Sequence, residues 1–194
     1  MMHINCSFPV YNAFRKMLLV ICAFFIALGQ DPTAGDRDYV VNYDTAEVIK
    51  ATLPFFRKKD CYLETEKYNS SYVVMNGRLV ILETLPADTI ITVGCHAKQD
   101  NNEYNQLFNE TLPFCDYMVK HPELYGLFSD FSPLPKTCPV SPGKYDIVNG
   151  YADENRFPPE MHRDVKTWYI VIKLKQDKKV VLHLGVYVNI EFKN

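Results

Sequence analysis

Trp168-Tyr-Ile-Val-Ile-Lys-Leu-Lys175, Gln176-Asp-Lys-Lys179 and Val180-Val-Leu-His-Leu-Gly-Val-Tyr-Val-Asn-Ile-Glu-Phe192 decide the fold class. Trp168, Ile170, Ile172 and Leu174 alternate with Tyr169, Val171, Lys173 and Lys175. After the polar turn, Val180, Leu182, Leu184, Val186, Val188, Ile190 and Phe192 alternate with Val181, His183, Gly185, Tyr187, Asn189 and Glu191. Side chains on a strand point to opposite faces in turn, so a period of two predicts a long β-hairpin with one apolar face. A lone hairpin cannot bury such a face, so a second layer has to cover it.

Working outward, the same period recurs. Tyr72–Met75 and Arg78–Leu82 flank Asn76-Gly77, the preferred pair for a type I′ hairpin turn. Thr89–Val93, Tyr39–Tyr43 and Tyr145–Val148 read as strands, the last after Ser141-Pro-Gly143. Phe55–Glu66 reads as a strand broken near Lys58-Lys59-Asp60. From Tyr104 to Phe131 the apolar residues crowd without alternating. Pro113 and Pro122 restrict any helix there to short turns, which predicts a short helical or irregular segment near residues 115–130. About seven short strands with turn signals between them predict an all-β, two-sheet sandwich.

The N-terminus reads as a processing segment. Arg15 and Lys16 precede Met17-Leu-Leu-Val-Ile-Cys-Ala-Phe-Phe-Ile-Ala-Leu28, an apolar run of 12 residues. That falls short of the roughly 20 residues that span a bilayer. A basic flank, a short apolar core and the small residues of Ala27-Leu28-Gly29 predict a signal peptide over 1–29. The alternative is an uncleaved signal anchor. Either Met1 or Met17 serves as the start. The expectation is a secreted, extracellular single domain over 30–194, with no transmembrane segment in the mature chain.

Of the 194 residues, 47% are apolar and 23% charged, which excludes intrinsic disorder. The balance of 21 basic to 23 acidic residues offers no electrostatic footprint for nucleic acid. Removing the leader leaves Cys61, Cys95, Cys115 and Cys138. An even number of cysteines in an exported chain implies two disulfides, with three connectivities open. No Cys-x-x-Cys occurs, which argues against a zinc site. Asn69-Ser-Ser71 and Asn109-Glu-Thr111 match the N-glycosylation acceptor, so Asn69 and Asn109 should face solvent.

A search for chemistry returns little. There is no His-Glu-x-x-His, no Gly-x-Ser-x-Gly elbow and no phosphate loop or dinucleotide fingerprint. Glu64 and Glu66 share a strand face and read as solvated charges; His183 reads as a surface residue. The expectation is a protein that is not an enzyme and needs no metal or cofactor. What stands out is an excess of apolar and aromatic surface. Such a sandwich either fills its core or parts its sheets around a ligand.

Thr137-Cys-Pro139-Val-Ser-Pro-Gly143-Lys-Tyr145 resembles the Cys-Pro-x-x-x-Gly-x-Tyr segment of the ML lipid-recognition superfamily, which includes the ganglioside activator. The Pro-bearing loop Phe157-Pro-Pro-Glu160 and the two long C-terminal strands follow as they do there. The wider layout is similar to secreted insect proteins related to the CheB chemosensory group. The early Asn-Gly hairpin with Thr89–Val93, the Tyr104–Cys115 segment and the Cys115 to Cys138-Pro139 spacing carry that likeness. It covers about residues 39–194.

The resemblance implies an immunoglobulin-like β-sandwich that binds one lipid or other apolar small molecule without chemistry, in a chemosensory setting. It implies a Cys115–Cys138 disulfide at the cavity mouth, which leaves Cys61–Cys95 as the second pair. The expected ligand-binding residues are Ile170, Ile172, Leu182, Leu184, Val186 and Val188 along the hairpin. Phe108, Phe114, Leu127 and Phe128 are expected to gate the mouth. The alternative is a solid sandwich whose loops, such as 149–163, contact a membrane receptor or other partner.

Overall fold

The C-terminal hairpin lies inside a five-stranded antiparallel sheet. In the computed structural model, residues 38–70, 72–99, 102–154, 157 and 165–193 are described. The expected leader and most of the Pro-bearing loop lie outside them. The strands are β1 (Tyr39–Ala51), β2 (Tyr62–Lys67), β3 (Val73–Ile81), β4 (Ile90–Lys98), β5 (Tyr104–Pro113), β6 (Gly143–Gly150), β7 (Thr167–Gln176) and β8 (Lys179–Phe192). Two short helices, α1 (Phe114–Lys120) and α2 (Pro122–Ser129), follow β5. One sheet has the order β1-β8-β7-β4-β5 and the other β2-β3-β6, giving an all-β two-sheet sandwich.

The hairpin turns at Asp177 and Lys178, whose φ angles are 49° and 63°. Two successive left-handed residues make the twist-matched connection. In-register pairing then runs from Thr167↔Asn189 to Leu174↔Leu182, so the apolar positions of β7 and β8 share one face.

Asn76-Gly77 is not a turn, which corrects the expected hairpin. Both residues lie within β3, and Gly77 pairs with Leu63 on one side and Ile147 on the other. A Cβ on Gly77 would stand 2.5 Å from Leu63 Cδ2 and 2.7 Å from the Tyr62 carbonyl oxygen. Glycine is there for close approach of a neighbouring strand. Asn76 sits at a break in the β3–β6 register, where its Oδ1 accepts the Asn149 N–H at 2.9 Å.

The chain also departs from expectation at β5. Its outward side and tip are exposed from Tyr104 to Leu107, and it forms one edge of the large sheet. Its exposed first half carries no apolar period and the half-buried face of its second half includes Glu110, so its pattern hid it. The break at 58–60 is a single 3₁₀ turn, as the charged run suggested.

The two sheets differ in width, and this positions the site. β2 and β3 reach the β1 edge: Thr65 Oγ1 donates to the Asp44 carbonyl at 2.8 Å, and the Val73 N–H reaches Asn42 Oδ1 at 3.4 Å. Three strands cannot cover five. At the far side α1 lies against β4 and β5, and α2 lies against β6. The helices thus complete the smaller layer. Among the described residues no helix is long and apolar enough to cross a membrane.

Candidate functional site

Where helices replace strands, the interior does not close fully. An apolar cavity of about 80 Å³ lies between the sheets. Ile91, Val93, Ile172, Leu174, Leu182 and Leu184 line it from the large sheet, and Leu79 and Ile81 from β3. Phe114 and Tyr117 of α1, and Leu124, Tyr125 and Phe128 of α2, close the helical side. Every lining residue is aliphatic or aromatic and nearly all of the lining surface is apolar, so the space suits an apolar group better than water. Leu124, Phe128 and Leu134 are only partly buried and form its outer rim.

The expected binding residues divide. Ile172, Leu182, Leu184, Phe114 and Phe128 border the cavity. Val186 and Val188 face inward farther along β8, but each is 1% exposed within the filled core, clear of the cavity. Ile170 is also inward and packs on that core. Phe108 is half-buried on β5 opposite Cys95 and does not border the space. Leu127 lies in α2, and its side chain is outside the described residues. Leu79, Ile81, Leu85, Ile91, Val93 and Tyr125 also line the cavity without having been anticipated. The alternation of Leu79 and Ile81 on the expected strand Arg78–Leu82 was a usable signal for two of them.

The helical side is pinned at several points. Cys115 and Cys138 form a disulfide, joining α1 to the loop before β6. The Phe114 N–H donates to the Thr89 carbonyl at 2.7 Å, fixing the start of α1 beside β4. Tyr125 Oη donates to the Pro135 carbonyl at 2.7 Å. Burial, with Tyr145 adding to it, pushes the Tyr125 phenol up to about 12, so it stays a neutral donor. His121, the joint between the helices, is buried and lies 2.8 Å from Glu110 Oε2.

Cys61 and Cys95 are free thiols, which corrects the expected second disulfide. Cys61 sits beside β2 with its Sγ against the Val80 backbone. Cys95 is on β4, between Phe108 and Ile170, three strands in from the β1 edge that β2 meets. The breadth of the large sheet holds the two thiols apart. Burial pushes the Cys95 thiol up to about 12, leaving almost no nucleophilic thiolate at neutral pH.

Among the described residues no group of three or more His, Cys, Asp or Glu side chains could hold a metal ion. Glu64 and Glu66 are exposed on β2. Asn69, in the β2–β3 connection, and Asn109, on β5, are both exposed.

Residues 91–163 match the model of a family described as a protein of unknown function, DUF1091. The match spans β4 to β6, including both helices and the disulfide. No curated protein matches the chain.

Proposed function

We propose that this chain is an exported protein that holds an apolar small molecule between its sheets, beneath α1 and α2. The observation that carries the reading is the almost entirely apolar cavity at the place where helices stand in for strands. The resemblance of Thr137–Tyr145 to the ML lipid-recognition superfamily supports the same ligand class. A carrier role, chemosensory by that resemblance, follows from binding alone. Burial would supply the affinity, at about 0.8 kcal/mol for each CH₂ removed from water.

The volume bounds the ligand. About 80 Å³ is roughly half of an engineered cavity of about 150 Å³ that takes up benzene. A small ring or the end of an acyl chain fits that space. A longer chain requires the Leu124–Phe128 side of α2 to move outward.

One observation favours a second reading, a sandwich that acts through its surface. The cavity is smaller than the 300–1,000 Å³ usual for ligand pockets. In that reading the loops contact a membrane receptor or another partner.

The test is to express the full chain in a secretory host, extract the purified protein into organic solvent and analyse the extract by mass spectrometry. A stoichiometric apolar compound is expected. Leu184→Trp should abolish it while the circular dichroism spectrum stays that of a β-protein. A clean extract, repeated after exposure to a lipid library, favours the surface reading.

A further inference from the structure

A second concavity shares no lining residue with the inter-sheet cavity. It has a volume of about 560 Å³, within the usual range for small-molecule sites. Tyr68, Tyr72 and Tyr151 stand around it, 66%, 45% and 46% exposed. Val74 and Ala152, both buried, form its apolar floor, and Asp153 and Glu154 complete the wall. Three large aromatic side chains are kept at the surface around one hollow. Along its described wall stand two carboxylates and no basic side chain.

The backbone holds the tyrosines in place. The N–H groups of Tyr68 and Asn69 both donate to the Tyr72 carbonyl, at 3.0 and 3.3 Å. The Tyr72 N–H returns to Asn69 Oδ1 at 3.0 Å, so the β2–β3 connection presents Tyr68 and Tyr72 together. On the other side, Asn76 Nδ2 donates to Glu66 Oε2 at 3.1 Å while its Oδ1 holds the Asn149 N–H. Asn149 is left-handed, with φ 51°, and turns the chain at the end of β6. Tyr151 follows, its ring set edge-on against Phe131 with centroids 4.9 Å apart.

Tyrosine faces carry negative quadrupole charge, and the Asp153 and Glu154 carboxylates stand beside them. Together they suit a cation with an apolar surface rather than an anion or a neutral polar group. We infer that this pocket binds an organic ammonium group, presented by a free amine or by a lipid headgroup. Tyr68, Tyr72 and Tyr151 would contact its methyl or methylene surface, and the Asp153–Glu154 side would carry the charge complement.

The experiment uses the full chain carrying Ser71→Ala, which removes the Asn69 sequon while keeping Asn69 in place. Titration with choline, followed by tyrosine fluorescence and calorimetry, is expected to give saturable binding. The neutral isostere 3,3-dimethyl-1-butanol should bind at least tenfold more weakly. Tyr151→Leu should weaken choline binding about threefold to tenfold, as loss of one ring face would. Glu154→Gln should weaken it with unchanged thermal stability, which separates a binding role from a folding one. Phosphatidylcholine vesicles set against free choline tell a headgroup source from a free amine. Equal affinity for the neutral isostere, preference for a neutral sugar, or no saturable choline binding overturns the inference.

Discussion

Glu110 Oε2 lies 2.8 Å from His121 Nε2, joining an inward-facing strand position to the joint between two helices. Glu110 pairs with Val93 on β4, so its side chain points to the covered face of the sheet. His121 receives the end of α1, its N–H donating to the Tyr117 carbonyl at 2.8 Å. Its own carbonyl accepts the Tyr125 N–H at 3.0 Å, which starts α2. Lys120 Nζ also meets Glu110. An ionised carboxylate only accepts, so Nε2 carries the proton. The helical lid over the cavity is therefore tied to β5 by one side chain.

Replacing Glu110 with Ala removes that tie and leaves His121 buried without its carboxylate. The expected loss is about 1–3 kcal/mol of stability, measured by urea denaturation. Glu110→Gln keeps an acceptor and should lose less. Equal stability of wild type and Glu110→Ala would show that the tie contributes nothing.

Gly77→Ala tests the close approach inside β3. Its Cβ would meet the Tyr62 carbonyl oxygen at 2.7 Å, a backbone atom held in the β2–β3 ladder. Leu63 could rotate away, whereas that oxygen can move only with its strand. We expect a loss of about 1–3 kcal/mol, read as a fall in the denaturation midpoint. Had Asn76-Gly77 been a turn, the same change would leave the β2–β3 pairing intact.

Alkylation distinguishes the cysteines. Unfolded without reductant, the protein should be modified at Cys61 and Cys95 and protected at Cys115 and Cys138. In the folded state Cys95 should react slowly, since burial raises its thiol. Cys115→Ser with Cys138→Ser opens a link spanning 23 residues. The expected cost is about 3 kcal/mol, read by thermal unfolding. Peptide mapping that finds Cys61 joined to Cys95 would contradict the thiol assignment.

His183 makes stability depend on pH. Burial lowers its affinity for a proton, Lys173 and Lys50 lower it further, and Glu47 opposes them. The unfolded chain therefore binds a proton more readily, near pH 6.5. This contribution is fully present above about pH 6.5 and is lost as pH falls towards the lower folded value. His183→Gln should flatten the difference between pH 7.5 and pH 5.5 in denaturant midpoints. An unchanged pH slope in that variant would rule the group out.

Much of the large sheet was legible because strand side chains alternate whatever they face. That rule placed Ile172, Leu182 and Leu184 on the inward side, where they border the cavity. It equally placed Val186 and Val188 inward, but could not say that other core residues fill the space beside them. Asn76-Gly77 misled because its turn preference is local, whereas the need for glycine came from the neighbouring strand, at Tyr62 and Leu63. Cys61–Cys95 failed for a related reason, since parity of cysteines carries no distance.

The sequence by itself determined the two-layer β architecture, a polar turn within Gln176–Lys179 and the face to which each hairpin residue points. These follow from backbone pleat and turn stereochemistry, which act between near neighbours. Tertiary structure alone decided that three strands face five and that α1 and α2 cover the remainder, leaving about 80 Å³ between them. It also brought Tyr68, Tyr72 and Tyr151 around one pocket. Those outcomes depend on which distant surfaces meet and how completely their volumes fill the gap, quantities that no periodicity along the chain encodes.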